Sequence, residues 1–225
     1  MVPWILYEDN HIIAVNKQSS DLSQGDSSGD EALDARVKKY IAEKYKKPGE
    51  VFLGVVHRLD RPVSGVLLYA RTSKALSRLN EMFRTRDVKK IYWALVREQP
   101  PEAEGTISNY LRKNEKQNKT YVFESEVKGS KKASLAYKII GRSERYYLLE
   151  IDLHSGRHHQ IRAQLSNLGC PVKGDLKYGY PRSNENGGIS LISRQLEFIH
   201  PVKKEKIVIT APLPQDDAWK AFRNI

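Results

Sequence analysis

A carboxylate flanked by two guanidiniums is the feature of this sequence best suited to chemistry. Asp60 stands between Arg58 and Arg61 in the segment His57–Gly65 (HRLDRPVSG). The apolar run 66–70 behind it predicts a buried strand that would hold the carboxylate at a rigid position. The two cations favour the ionised carboxylate, whereas burial opposes it. Asp60 is therefore predicted to act as a nucleophile or a base rather than as an acid; the alternative is an ion pair that only tethers a loop.

Other chemically useful side chains lie on two further predicted elements. Alternation along 88–97 predicts a strand on which Tyr92 and Trp93 face opposite sides. Further along the chain, Gly156 predicts a turn into a helix, and Arg162 lies at the edge of the apolar face of that helix. An arginine at such an edge can reach back under a cleft.

The remaining elements predict a mixed α+β fold. Asp30 is predicted to cap one helix, and Thr72 or Ser73 the next. The other predicted strands are 5–7, 12–15, 133–140, 146–153, 189–192, 195–199 and 206–211, with a basic hairpin-like loop at 112–119 and a closing helix that begins near 216. Because strands are many, helices few and no linker interrupts the chain, the sequence predicts one domain, 1–225, with a mainly antiparallel β-sheet core and flanking helices. The polar stretch 19–30 predicts a flexible loop within it.

The composition favours a globular protein with a polyanionic partner. Lys and Arg outnumber Asp and Glu by 38 to 27, which gives a net charge of +11. The single cysteine, Cys170, excludes an intramolecular disulfide and a cysteine-built zinc site, and it fits a reducing compartment. The N-terminus has no signal-peptide pattern, and no apolar run approaches about 18 residues, so a cytoplasmic location without a membrane span is expected.

Taken in order, these motifs resemble those of the RluA-type pseudouridine synthases. The resemblance rests on His57–Asp60 with Ser64-Gly65, Lys90–Ala94, Gly156–Arg162, Gly174-Asp175 with Tyr178-Gly179, and Leu196–Pro201, and it spans about Ile5 to Pro214. One such block is weak alone, but five in order are specific. The resemblance implies a pseudouridine synthase fold with a central cleft. It also implies an isomerase, with no metal and no cofactor, that detaches a uracil base from its ribose and rejoins it through carbon.

The resemblance further implies a role for each candidate residue. Asp60 would be the essential carboxylate; it would attack the sugar, attack the base or remove a sugar proton, and the sequence leaves these three open. Arg162 would pair with Asp60 and keep it ionised. Tyr92 would stack on the target base, and Arg58 would fill the place of the flipped nucleotide. The remaining predicted RNA-binding residues are His57, Arg61, Arg157, His159, Lys173 and Lys177. The expected partner is RNA, either tRNA or ribosomal RNA, bound by a monomer.

Three positions depart from the family's usual pattern. Val63 and His158 each stand where the family usually has Thr, and Gln18-Ser19-Ser20 stands where it has a second aliphatic-rich Pro-Gly loop. Val63 keeps β-branching, so the turn is expected to survive, whereas the Gln18 change is expected to alter RNA docking. The start at Met1 leaves no room for the small RNA-binding domain that often precedes this catalytic domain. Target selection is therefore expected to come from the catalytic domain itself.

Other chemistries fit the residue pattern less well. Adjacent histidines such as His158 and His159 would diverge by about 100° on a helix, so a shared metal ion is not expected. No Gly-x-Ser-x-Gly motif surrounds Ser64, so an acyl hydrolase is not expected either. Two alternatives stay open: a metal-free ribonuclease that uses His57 and His158 as acid and base, and an RNA-binding protein in which Asp60 is structural.

Overall fold

The computed structural model describes residues 4–25 and 29–225. The chain divides into two compact units, one formed by residues up to Val88 together with Ser193–Pro212, the other by Lys89–Ile192 together with Leu213–Ile225. The single domain 1–225 stays a prediction. The predicted flexible loop 19–30 includes residues 26–28, which lie outside the described residues.

Strands dominate the secondary structure. The strands are β1 (Ile5–Glu8), β2 (Ile12–Lys17), β3 (Gly54–Val55), β4 (Ser64–Ala70), β5 (Lys89–Val96), β6 (Glu104–Asn114), β7 (Lys119–Phe123), β8 (Lys131–Arg142), β9 (Tyr147–Leu153), β10 (Leu191–Ile199) and β11 (Lys206–Thr210). The helices are α1 (Leu33–Lys44), α2 (Ser73–Thr85), α3 (Gln160–Asn167) and α4 (Asp217–Lys220), with a 3-10 turn at Leu176–Tyr178. The strand pairings within each unit are antiparallel, and the predicted mixed α+β class is confirmed. In the described part of the chain, no helix has the length and apolar character needed to cross a membrane.

The first unit is organised around β4. This strand pairs with β2 and β3, and all seven of its residues are buried. Burial on both faces explains why its sequence is a continuous apolar run rather than an alternating one. β1 extends the sheet beyond β2, and β10 pairs with β11. The strand directly behind Asp60 is therefore held on every side by packing.

The two helices of the first unit begin differently. Thr72 caps α2 as predicted, because its side chain accepts a hydrogen bond from the backbone N–H of Ala75. The prediction that Asp30 caps α1 is wrong: the N-cap is Ala32, and its helix is anchored instead by the Leu33 N–H, which donates to the Leu22 carbonyl at 2.9 Å. Asp30 forms an ion pair with an arginine described below, which draws its carboxylate away from the helix.

The second unit contains a five-stranded antiparallel sheet. Its strand order is β5, β9, β8, β6, β7, and α3 packs against β6 and β7. The predicted basic loop at 112–119 is the tip of a hairpin formed by β6 and β7. On β5, Tyr92 lies opposite Ile151 and Trp93 opposite Glu150, and the Trp93 indole N–H donates to the Glu150 carboxylate at 3.1 Å.

The two strands predicted at 189–192 and 195–199 form one continuous strand, β10. The polar pair Ser193 and Arg194 predicts an interruption, but the Ser193 side chain is fully buried and the Arg194 guanidinium donates to the Ala211 carbonyl. Tertiary contacts therefore override the local polar signal.

The alternating burial of β11 predicts a matched pair of stability effects. Ile209 on β11 is 3% exposed, whereas Ile199 on the neighbouring β10 is 46% exposed. Ile209→Ala is expected to lower the free energy of unfolding by about 3 kcal/mol, because it removes buried methyl groups and leaves a cavity. Ile199→Ala is expected to change it by less than about 1 kcal/mol. Urea denaturation of both variants measures this, and equal losses would contradict the assigned faces.

Candidate active site

Asp60 lies in a loop that is fixed mainly through its backbone. A turn closes at Asp60, whose carbonyl accepts the Val63 N–H at 3.0 Å. The preceding residue, Leu59, is held on both sides by the Ser23 hydroxyl, which donates to the Leu59 carbonyl at 2.8 Å and accepts the Leu59 N–H at 3.0 Å. The Tyr69 hydroxyl, from β4, donates in turn to the Ser23 carbonyl at 2.6 Å. The loop is thereby locked onto the buried strand behind it.

A buried lysine, which the sequence analysis missed, fixes the other side of this turn. The Lys17 side chain is fully buried at the end of β2. Its ammonium donates to the carbonyls of Gln18 at 2.9 Å, Arg61 at 2.9 Å and Val63 at 2.7 Å. Burial lowers the pKa of Lys17 to about 8, and the negative charges of Asp21 and Asp60 oppose that shift. The only sequence signal for this role is a lysine that directly follows an apolar strand.

The other predicted residues of this loop have separate environments. The His57 Nε2 accepts the Leu68 N–H at 3.0 Å, and its ring stacks on Phe83 at a centroid distance of 5.0 Å. Arg58 lines a cavity of about 590 Å³ that Lys38 also lines. The exposed Arg61 pairs with Asp30 at 2.7 Å. His57 therefore supports the strand, whereas the two arginines lie nearer the solvent.

In the second unit, Arg162 forms a buried bidentate ion pair with Asp175. The guanidinium donates through Nε at 2.6 Å and through a terminal nitrogen at 2.9 Å, and the two side chains are 6% and 1% exposed. The Tyr178 ring lies beside this pair, 5.1 Å from the Arg162 Cζ. Two parallel hydrogen bonds fix the plane of the guanidinium as well as its position. Nothing in the sequence pattern indicates Asp175 as the partner of Arg162.

His159 lies in a buried polar network beside this arginine. The Tyr178 hydroxyl accepts the Thr120 N–H at 2.8 Å and makes a 2.9 Å hydrogen bond to the His159 Nδ1. Because a hydroxyl has one proton and two acceptor sites, this bond fits either neutral tautomer of the His159 ring. Burial, followed by the positive charge of Arg162, lowers the pKa of His159 to about 2. His159 is therefore neutral.

The predicted divergence of His158 and His159 is wrong. Their rings stack with centroids 3.7 Å apart and planes inclined by 22°. Both residues precede α3, and His159 is its N-cap with a left-handed φ of 49°. The rotation of about 100° per residue applies only inside a helix. The His158 ring also contacts the β6–β7 hairpin, with Nδ1 2.7 Å from the Thr120 hydroxyl and Nε2 3.1 Å from the Asn118 side-chain oxygen.

The four other predicted residues of the second unit lie at three places. Tyr92 is 7% exposed on β5. Arg157 and Lys177 lie close to the β6–β7 hairpin. The Arg157 Nε donates to the carbonyl of Lys132 on the adjoining β8 at 3.2 Å, and the Lys177 ammonium donates to the carbonyl of Asn118 in the hairpin turn at 3.1 Å. Lys173 lies elsewhere, with its ammonium 2.6 Å from the Asn184 side-chain oxygen.

The candidate residues thus fall into two groups, one in each unit. The first unit places His57, Arg58, Asp60 and Arg61 on one anchored loop. The second unit surrounds Tyr178 with buried polar groups, among them Arg162. The pairing of Arg162 with Asp60 and the stacking role of Tyr92 stay predictions. Among residues 4–25 and 29–225, no three His, Cys, Asp or Glu side chains form a group that could hold a metal ion.

Comparisons with known proteins agree on one family. Residues 11–167 match the family model described as RNA pseudouridylate synthase. The chain is 30% identical over 234 residues to tRNA pseudouridine synthase C of Vibrio parahaemolyticus, covering 96% of this chain and 92% of that protein. It is 33% identical over 218 residues to ribosomal large subunit pseudouridine synthase C of Buchnera aphidicola subsp. Baizongia pistaciae, covering 93% of this chain and 66% of that protein. Human RNA pseudouridylate synthase domain containing 4 has a similar fold, with a TM-score of 0.78 at 23% identity over 94% of this chain and 88% of that one.

The buried ion pair predicts a strong effect of one carboxylate. Asp175→Asn removes the carboxylate that forms the bidentate pair with the buried Arg162, so it is expected to lower the free energy of unfolding by about 3 kcal/mol. The matched control is Asp217→Asn, which breaks an exposed pair with Lys220 and is expected to have no measurable effect. Chemical denaturation compares the two, and a small loss for Asp175→Asn would show that Arg162 does not need this partner.

The lowered pKa of Lys17 predicts a pH dependence of stability. Between pH 8 and 10.5 the unfolded chain keeps the Lys17 proton while the folded protein releases it, so this group makes folding more favourable as pH rises. Relative to Lys17→Met, the wild type is expected to gain about 2 kcal/mol of unfolding free energy between pH 8 and 9.5. Urea titrations of both proteins at the two pH values measure the difference, which isolates Lys17 from other titrating groups. A constant difference would contradict the shift.

Proposed function

Since the chain belongs to the RNA pseudouridylate synthase family, we propose that it is an isomerase that converts specific uridines of tRNA or ribosomal RNA to pseudouridine. The observation that carries this proposal is the anchored Asp60 loop, which lies inside the matched segment 11–167. A carboxylate whose backbone is held by Lys17 and Ser23 can keep one position while a large substrate binds.

The reaction needs no co-reactant. The bond between C1′ of the ribose and N1 of uracil breaks, and a bond between C1′ and C5 forms. N1 gains a proton, C5 releases its hydrogen to water, and the atoms of the nucleotide balance. The proposed role of Asp60 is to act as the essential carboxylate, attacking the sugar, attacking the base or removing a sugar proton. All three roles need an ionised carboxylate at a fixed place.

Arg162 is the proposed partner that keeps Asp60 ionised. Asp175 fixes the plane of that guanidinium through two parallel hydrogen bonds. This fixed orientation supports the use of Arg162 as a positive charge beside a second carboxylate. A fixed, permanently charged arginine favours the ionised form of a nearby acid at every relevant pH.

The target base must leave its stack before the glycosidic bond can be reached, at a cost of about a few kcal/mol. The proposed roles are stacking of Tyr92 on the base and insertion of Arg58 into the vacated place. Cationic side chains of the β6–β7 hairpin and the segments beside it would hold the RNA backbone. These are Arg112, Lys113, Lys116, Lys119, Lys128, Lys131, Lys132, Arg157 and Lys177, opposed by Glu115, Glu124 and Glu126.

The two alternative functions fit less well. A ribonuclease with His57 as acid or base needs an imidazole that can exchange protons with the substrate, but the His57 Nε2 accepts a backbone N–H of β4. An anchored carboxylate repels phosphate. A purely RNA-binding protein therefore gives no reason to place one among phosphate-binding cations. The relatives' names include both tRNA and large-subunit ribosomal RNA enzymes, so both RNA classes are proposed substrates, acted on in the cytoplasm by a monomer.

Release of hydrogen from C5 tests the proposed reaction. Wild-type protein is expected to release tritium from [5-³H]uridine-labelled bulk tRNA or ribosomal RNA, because C5 loses its hydrogen only when the base is rejoined through it. Asp60→Ala and Asp60→Asn are expected to lower the rate at least about a thousandfold, since the step depends on that carboxylate. The matched control, Asp87→Asn, changes an exposed carboxylate and is expected to keep the wild-type rate.

The same experiment separates the alternatives. Fragmented RNA without tritium release would favour the ribonuclease. Binding of intact RNA without release from either RNA class would favour the binding protein. Tritium release that persists in both Asp60 variants would overturn the role of Asp60 while keeping the isomerase.

A further inference from the structure

A second basic surface of the second unit lies away from the β6–β7 hairpin. It surrounds a cavity of about 910 Å³ at the β8–β9 turn, the end of β5 and the loop 180–184. We call it the turn groove, and it is lined by residues of the segments 97–98, 142–147 and 180–184 together with Lys173. The groove contains Lys173, the one predicted RNA-binding residue of this unit that lies apart from the others.

Cations outnumber acids in the lining of the turn groove by five to two. The five cations are Arg97, Arg142, Arg145, Lys173 and Arg182, and the acids are Glu98 and Glu144. Arg97 lies 4.0 Å from Glu98, and both are about two-thirds exposed, so this pair is strongly screened by water. The excess of exposed guanidiniums makes the groove suited to a polyanion, because guanidiniums bind phosphate through paired N–H donors.

Tyrosines alternate with these cations. Tyr146 has the Lys173 ammonium 5.7 Å from its ring centroid, and Tyr147 has the Arg142 guanidinium at 5.3 Å. The Tyr147 hydroxyl donates to the Gln99 side chain at 2.9 Å, which fixes its ring. Burial and the Tyr146 hydroxyl raise the pKa of Tyr180 to about 12, so it adds no negative charge at neutral pH. Rings among cations are the usual platform for unpaired bases.

Acidic residues limit the groove at one end. The adjoining cavity, of about 630 Å³, shares Arg145 and Lys173 with the groove but is also lined by Glu185, Asp216 and Asp217. A phosphate backbone would be repelled there. The favourable path is therefore confined to the side of Arg97, Arg142 and Arg182.

We propose that the turn groove binds a single-stranded segment of the RNA substrate, outside the nucleotide that is modified. The guanidiniums contact phosphates, and the tyrosine rings stack on unpaired bases. Binding in the groove would help to select the RNA substrate. The inference rests on the proposed function, which identifies that substrate as tRNA or ribosomal RNA. A duplex would offer only phosphates to the groove and would leave the rings unused.

Equilibrium binding of a fluorescein-labelled oligouridylate of about twelve nucleotides, within the usual single-strand site sizes, tests the proposal without turnover. The double variant Arg142→Gln with Arg182→Gln is expected to bind about tenfold more weakly at physiological salt, and its log–log salt slope is expected to fall by about 1.4. Glu144→Gln, which removes an acid from the same lining, is expected to bind more tightly. The matched control, Lys74→Gln with Lys204→Gln, removes two exposed cations of the first unit and is expected to bind like wild type.

Photocrosslinking gives an independent location. The same oligonucleotide carrying 4-thiouridine is expected to crosslink to peptides that contain Tyr146 or Tyr180. Unchanged affinity of the double variant, or crosslinks confined to other segments, would overturn the proposal. So would tighter wild-type binding to an oligoglutamate of equal charge, which would assign the groove to an acidic peptide. Failure of the proposed function is seen separately, as absent tritium release from tRNA and ribosomal RNA.

Discussion

The position of Asp60 depends above all on the burial of one charged amine. An ammonium removed from water must find acceptors, because an unsatisfied buried charge is far too costly. Lys17 finds them in backbone carbonyls, two of which belong to the turn that follows Asp60. The lysine therefore orders the backbone on one side of the carboxylate, while Ser23 orders it on the other. Neighbouring residues thereby hold the backbone that carries the Asp60 carboxylate.

The same rule governs the second unit, where positive charge is abundant. Arg162 is buried, and it is matched by the almost fully buried Asp175. His159 lies in the same buried region, and burial beside that arginine keeps it neutral. Cations on the β6–β7 hairpin and in the turn groove are instead held at the surface. The buried arginine is thus paired and the buried histidine is neutral, whereas the exposed cations of this unit lie where a polyanion can reach them.

Elements with strong local signals could be predicted from the sequence. The apolar run of β4 and the Thr72 cap can each be predicted from a few neighbouring residues. The antiparallel α+β class follows from the number and order of the predicted strands and helices. Features that depend on distant residues could not be predicted. Asp30 forms an ion pair with Arg61 instead of capping α1. Ser193 lies within β10, where the surrounding residues bury it. Of the candidate site, the residue types were visible, but the lysine that fixes the Asp60 turn was not.

A tight turn links the turn groove to the buried arginine. Lys173 lines the groove, and Asp175, two residues later, holds Arg162. Between them Gly174 has a left-handed φ of 88°, and a Cβ at that position would lie 2.7 Å from the Asn184 side chain. Asn184 also accepts the hydrogen bond of Lys173. A Cβ at position 174 would have to displace Asn184, the hydrogen-bond partner of Lys173. Glycine at this position therefore lets one short segment, 173–175, serve both the turn groove and the buried ion pair.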